Sequence, residues 1–304
     1  MSALDALALL TPECVLLFSL LALMLFDRLL CFQRARLALY ALAGVTLALA
    51  AAAEAWSLPP HAIFDGALAI DSLAQLGRLL VLGGAVVALL LTLGRFTFAP
   101  PRPHLASQPR HAEFSLLVLL AAFGACLLVA SRDLLVTVIA LEITALPVYA
   151  LLTFGESRAG HEAAAKYFLL GAAATAVMLF GLSFLAGPTA TTRYAPIEPR
   201  NPFVLLGLIL FLAGLLLKVA AVPFHAWMPD TYQAAPLPAV VFMATSVKAA
   251  AALALVRLVV DALPLPTPLP EPLVRLLVII SALSMLLGNG AAMRQTSVKR
   301  LLGF

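Results

Sequence analysis

The sequence predicts an all-α polytopic membrane protein of about nine transmembrane helices, the seventh broken partway along. Composition carries the first part of that prediction. Of 304 residues, 63% are hydrophobic and only 11% charged, whereas a soluble domain carries about 25% charged residues. Segment length carries the second part: apolar runs near the roughly 20 residues that a bilayer core requires recur along the chain. The third is the run FVLLGLILFLAGLLLKVAAV at 203–222, followed at once by PFHAWMPD. It sets a lysine and then a proline break at membrane depth, where irregular backbone survives only inside protein or beside a water-filled cavity.

Taken in order, the first segment, 10–26, has no Lys or Arg before Arg28. A cleaved signal peptide normally opens on a basic region, so this run reads as a retained span. The second, 35–56, ends before Pro59-Pro60, and the third, 74–94, before the loop PRPHLASQPR. The fourth and fifth, 112–130 and 132–154, meet at Ser131-Arg132-Asp133, which requires a tight helical hairpin. The sixth, 163–186, stops at Gly187-Pro188. The seventh, 203–222, starts after Pro199 to Pro202 and continues past its break to about 233. The eighth is 238–260, and the ninth, 272–293, follows the Pro-rich run LPLPTPLPEP. Gly and Pro clusters are the boundary signals throughout.

Charge sets the orientation. Loops after odd-numbered segments hold Arg28, Arg34, Arg36, Arg95, Arg102, Arg110, Arg158, Lys166, Arg294, Lys299 and Arg300. Loops after even-numbered segments hold Arg132, Arg193 and Arg200, with Arg257 and Arg275 at helix ends. Cytoplasmic loops carry the excess of Lys and Arg, which places the odd loops inside and the N-terminus outside, together with Asp65 and Asp71. The net charge of +4 is therefore explained by loop cations, and no nucleic-acid partner is implied. Cys14, Cys31 and Cys126 form no CxxC pair and the five histidines no HxxxH pair, so nothing suggests zinc or iron–sulfur ligation. No nucleophile constellation or nucleotide loop points to an independent active site.

Three charges remain inside the spans once loops are set aside: Glu142, Lys218 and Lys248. Each must face protein or water, because a charge facing lipid costs several kcal/mol. Pairing Glu142 with Lys218 is the cheapest arrangement. It has two readings: a structural pair that locks helix packing, or a lysine whose proton affinity follows the position of a nearby carboxylate. Lys248 has no spare carboxylate within the spans, which weighs against the first. His225, just past the break, can relay protons or hydrogen-bond carbonyls freed there. Glu162 and Lys166 are four apart, either a helix-stabilising pair or a cytoplasmic entrance to a proton path. Asp230 reads as a cap or local partner. Thr175, Ser183, Thr245, Ser246 and Asn289 can hydrogen-bond water or helices, and Gly171 to Ala174 form a small-residue packing surface.

LEITALPVYALL, EAAAKYFLLGA, LLLKVAAVPFHAWMPDTYQAAPLPAVVFMATSVKAAA and LGNGAAMRQTSVKRLL resemble the antiporter-like membrane subunits of respiratory complex I, in particular the subunit N/ND2 family. The resemblance runs from about residue 110 to Phe304; the first hundred residues match in pattern only. It implies two inverted five-helix repeats, a fold shared by many transporters. Residues 1–110 become three N-terminal helices, 111–262 the complete first repeat (helices four to eight), and 263–304 the ninth helix and the start of a missing second repeat, so the chain is expected to be C-terminally truncated. Carried over by position, Glu142 is the fifth-helix glutamate, Lys218 the lysine beside the break and Lys248 the eighth-helix lysine, with His225 and Glu162 on the motif's histidine and acidic residue. The implied role is proton translocation as part of an NADH-quinone oxidoreductase in the bacterial cytoplasmic (inner) membrane, as a subunit without its own active site. NADH, FMN, iron–sulfur clusters and quinone are expected on other subunits, with no cofactor in this one. The expected partners are neighbouring antiporter-like and small membrane subunits and the lipid bilayer. One departure is Leu237 in Ala-Pro-Leu-Pro, where the family often has Thr. Alternatives are a subunit of a multisubunit sodium/proton antiporter or membrane-bound hydrogenase, or a structural or assembly paralogue that transports nothing.

Overall fold

Helices occupy the expected apolar segments in the computed structural model, which describes residues 7–29, 34–57, 59–93, 111–155, 157–194, 201–262 and 271–304. In chain order they are α1 (Thr11–Leu29), α2 (Arg34–Glu54), α3 (Ser72–Leu93), α4 (His111–Ala130), α5 (Leu134–Thr153), α6 (Arg158–Thr189), α7 (Pro202–Val219), α8 (Trp227–Ala234), α9 (Leu237–Phe242), α10 (Lys248–Ala262), α11 (Glu271–Ala292) and α12 (Val298–Leu301). A helix satisfies its backbone internally, which hydrocarbon demands. Among the described residues, seven helical stretches are long and apolar enough to cross a bilayer, with α9 and α10 forming one of them through a π turn at Met243–Val247. α1 and α2 hold shorter apolar stretches, Thr11–Phe26 and Leu39–Glu54. The chain is thus an all-α polytopic membrane protein. The loop at 94–110, the Pro-rich run at 263–270, and Cys31, His104, Arg95, Arg102, Arg110 and Arg200 lie outside the described residues, as do the side chains of Arg28, Arg34 and Arg36.

The hairpin between α4 and α5 is as tight as its three linking residues require. Asp133 caps α5: its Oδ1 accepts from the amides of Leu135 and Val136 at 2.9 and 3.1 Å. Its Oδ2 accepts from the Thr192 hydroxyl, which ties the end of α6 to the same corner. α6 runs past Gly187-Pro188, longer than the spacing predicts, and stops at Ala190 in a left-handed conformation (φ 53°). Pro188 forfeits one backbone bond but lies in the last turn, where the helix is closing anyway.

An unexpected antiparallel hairpin, β1 (His61–Ile63) with β2 (Leu68–Ile70), precedes α3 and pairs His61 with Ile70. Its turn places Phe64, Asp65 and Gly66 at positive φ. Leu68 then bridges to Ser131, and Asp133 to Arg193, so the hairpin closes one end of the bundle. Three-residue strands are too short for an alternating pattern to show in sequence.

The expectation of three intramembrane charges needs correction. Arg78 on α3 is fully buried and holds Glu13 of α1 in a two-bond fork, Nε to Oε1 at 2.8 Å and Nη2 to Oε2 at 2.9 Å. Arg257 on α10 is also buried. It forks onto Asp71 at 2.9 and 2.6 Å, donates to the Val129 carbonyl at 3.0 Å, and approaches Asp261 at 3.6 Å. Arg132 reaches Asp261 at 2.9 Å. Glu13 and Arg78 lie inside the first and third apolar segments and add to the three charges expected there, since neighbouring helices decide burial.

Two outcomes follow from these pairs. Glu13→Ala strands a buried guanidinium and is expected to cost about 3–5 kcal/mol, whereas replacing both partners with apolar residues of similar volume recovers most of the loss; the thermal midpoint of the detergent-solubilised protein reads both. The second concerns Asp71, which lies just outside its span. Burial raises its carboxyl, but the hydrogen bonds from Arg257 and the Ala74 amide outweigh burial and hold it below the usual carboxylate value. A carboxylate lowered in the folded state stabilises fully above its unfolded value, about 3.9, and loses that contribution as pH falls through the folded one. Thermal melts across that acidic range are expected to show a decline that Asp71→Asn lacks.

Candidate functional site

The site grows from the end of α7. Its last turn carries Lys218, a position where a cation complements the helix dipole. Ala220 turns left-handed (φ 64°, ψ 41°) and ends the helix, its amide returning to the carbonyls of Leu216 and Leu217. The amide of Ala221 bonds to Leu216 at 2.9 Å, and that of Val222 takes the Ser284 hydroxyl of α11 at 3.0 Å. Backbone freed by the break is thus satisfied by protein, as irregular chain at membrane depth must be. α8 resumes after Pro223, and its Trp227 donates from Nε1 to the Leu217 carbonyl at 3.3 Å.

Lys218 Nζ lies 3.2 Å from Glu142 Oε1 on α5, the arrangement the sequence favours. The lysine side chain is 4% exposed and the glutamate 27%, so the pair sits at the margin of packed protein. Two further groups complete the cluster. Thr175 on α6 donates to the same Glu142 oxygen. Tyr149, on α5, places its hydroxyl 3.2 Å from Nζ. The sequence marks Thr175 only as one of several hydrogen-bonding candidates and does not mark Tyr149. Tyr149 had a signal: it follows Glu142 by seven residues, two helical turns, which puts both on one face. Gly171 of α6 makes the approach possible, since a Cβ there would lie 2.0 Å from the Tyr149 hydroxyl and 3.4 Å from Nζ. Of the small-residue surface, Gly171 and Ala174 turn inward, while Ala172 and Ala173 are exposed.

The other expected site residues are more dispersed. Lys248 opens α10 directly after the π turn and is half-buried, and no ion pair engages it among the described residues. That turn rests on α3: Ser246 donates to the Val81 carbonyl at 2.8 Å, and a Cβ at Gly84 would lie 2.3 Å from the Ser246 hydroxyl. His225 lies in the break with Nδ1 buried and without a hydrogen-bond partner among the described residues; its ring is 6.3 Å from that of Phe304. Glu162 and Lys166 pair at 2.7 Å on the first turns of α6, both well exposed. They line a cleft of about 460 Å³ together with Ser157, Asp230 and Gln233. Asp230 is held by Arg300 at 3.3 Å and makes no helix cap among the described residues, while Arg300 also bonds Gln233 at 2.9 Å and Lys299 the Ala235 carbonyl at 2.9 Å. The segment after α11 is thereby fastened to α8.

Residues 131–304 match the family model described as "NADH:quinone oxidoreductase/Mrp antiporter, TM". NADH-quinone oxidoreductase subunit 14 of Thermus thermophilus is 43% identical over 265 residues, covering 86% of this chain and 54% of that protein. Subunit N of Geobacillus kaustophilus is 34% identical over 98% of this chain and 62% of its own length. The chain thus spans little more than half the length of these curated relatives. Among solved structures, a chain of respiratory complex I from Thermus thermophilus superposes with a TM-score of 0.80 at 40% identity, covering 96% of this chain and 60% of that one. An archaeal membrane-bound sulfane sulfur reductase gives a TM-score of 0.81 at 25% identity, over 99% of this chain and 62% of that one. A chain of the Mrp complex from Dietzia shares the fold at 0.76 and 22%, over 99% and 56%.

The contact at Gly171 is directly testable. A methyl group there must displace the Tyr149 hydroxyl, so Gly171→Ala is expected to destabilise by about 1–3 kcal/mol, the usual range for overpacking, read as a lowered thermal midpoint. Ala172→Val, on the exposed side of the same helix, is the control and is expected to leave the midpoint unchanged.

Proposed function

The chain belongs to the NADH:quinone oxidoreductase/Mrp antiporter transmembrane family, and from that premise we propose that it is a proton-translocating membrane subunit of a bacterial NADH-quinone oxidoreductase. The observation that carries the reading is a lysine held 3.2 Å from a glutamate beside a helix break. An ammonium is stabilised by a carboxylate beside it and gives up its proton more readily when that carboxylate withdraws. Glu142 is fit for that movement, since it is partly exposed and holds Lys218 through one oxygen only. The cleft beside Glu162 and Lys166 is the entrance from the cytoplasm, and Lys248 receives the proton on its way along the membrane plane. His225, at the break, relays between them. Moving one charge against about 100 mV takes roughly 2.3 kcal/mol, which quinone reduction on other subunits supplies. NADH, FMN, iron–sulfur clusters and quinone belong to those subunits and none to this chain. The N-terminus faces outward, and neighbouring membrane subunits cover part of the apolar surface.

Lys218→Ala in the native membrane complex is expected to abolish or sharply lower NADH-driven proton uptake by membrane vesicles, while native gels show normal assembly. Full uptake by an assembled Lys218→Ala complex would sink the reading. Uptake that requires sodium, or absence of the chain from the band that oxidises NADH, assigns it to an antiporter or hydrogenase assembly.

A further inference from the structure

Lys218 Nζ has two partners among the described residues, and they differ in what they can do. Glu142, as a carboxylate, only accepts hydrogen bonds. It suits an ammonium and offers nothing to the lone pair of a neutral amine. The Tyr149 hydroxyl, 3.2 Å from Nζ, both accepts and donates. It accepts an N–H from the charged lysine and, by rotating its own O–H, donates to the lone pair of the neutral one. Thr175, the other hydroxyl of the cluster, bonds Glu142 and the Gly171 carbonyl. Tyr149 is therefore the one hydrogen-bond donor in reach of Nζ among the described residues.

The phenol is also held more firmly than a side chain at a lipid-facing helix surface. Its ring meets Tyr167 edge-on at 4.7 Å and Phe168 at 5.5 Å. Tyr167 in turn stacks on Trp227 at 4.2 Å. Trp227 reaches back across the break to the carbonyl of Leu217, the residue before Lys218. Backbone and ammonium of the lysine are fixed from two sides of one aromatic stack, and the missing side chain of Gly171 leaves room for the hydroxyl to close the loop.

We infer that Tyr149 is the positioning residue that holds Lys218 Nζ in place through both protonation states, so that withdrawal of Glu142 changes the charge of the lysine without releasing it from the path. In the step itself an N–H bond of Lys218 breaks, the electron pair stays on nitrogen, and the proton passes to a water molecule. The phenol keeps its own proton and turns it toward the lone pair. This inference rests on the proton-translocation reading of Lys218.

The test compares proton uptake per NADH oxidised in vesicles carrying the assembled native complex, with assembly read on native gels. Tyr149→Phe keeps the ring and removes the hydroxyl, and is expected to lower uptake about fivefold, the factor that one lost hydrogen bond represents. Uptake unaffected by Tyr149→Phe overturns the inference. Incorporation of 4-aminophenylalanine at 149 keeps a donor at the same ring position and is expected to restore uptake; an assembled complex with this residue and no uptake also overturns it, whether or not the Phe variant assembles. Failure of the underlying reading looks different, because then Lys218→Ala itself pumps fully.

Discussion

An ammonium at the end of a helix in hydrocarbon is the constraint on which the rest of this structure depends. It cannot face lipid, so α5 and α6 must supply partners, and α7 must stop where those partners are. Ala220 ends the helix in a left-handed turn two residues after Lys218, while Ser284 and Trp227 satisfy the backbone released there. α11, α8 and α6 are thereby drawn to one point by hydrogen-bonding necessity, and the glycine opposite Tyr149 follows from the same need for close approach.

The visible parts of this arrangement in the sequence are those that violate composition. A lysine in FVLLGLILFLAGLLLKVAAV and a glutamate in an apolar helix stand out because their burial is expensive, and their pairing is the cheapest remedy. Span order was equally legible, since breakers and apolar runs alternate along the chain. Tyr149 is not marked out and Thr175 is only one of several hydrogen-bonding candidates, because hydroxyls are tolerated in membrane helices in many places and carry no penalty to betray their role. Arg78 and Glu13 escape notice for another reason. They lie 65 residues apart, each near a segment end, and only the folded bundle, which brings the two side chains together, shows that neither reaches water. The π turn before Lys248 has no compositional mark at all; its support is a serine and a glycine on facing helices.

The cleft end and the hairpin end of the bundle are built on different principles. At the hairpin end, Arg257, Asp71, Asp261 and Arg132 form a closed network that also takes in the carbonyl of Val129. Networks of this kind hold one arrangement, because moving any member strands the others. At the cleft end the pairs are exposed: Glu162 with Lys166, and Asp230 with Arg300. Exposed pairs contribute little to stability and reorganise readily. The contrast suits the proposed entry of protons at the cleft end.

A chemical distinction also separates the three ion pairs built on a buried cation among the described residues. Arg78 and Arg257 each hold a carboxylate through two parallel bonds. A guanidinium stays charged at any pH the membrane experiences, and its planar fork fixes geometry as well as charge. Lys218 holds Glu142 through a single oxygen and shares its ammonium with a phenol. A lysine is a point charge on a flexible stem, and burial moves its proton affinity readily. If all three pairs served only to lock packing, arginine forks would serve best at each. Among these three pairs of the described residues, lysine stands instead at the one that adjoins a helix break and touches a group able to hold it with or without its proton. That placement is what a proton carrier needs and what a purely structural pair does not.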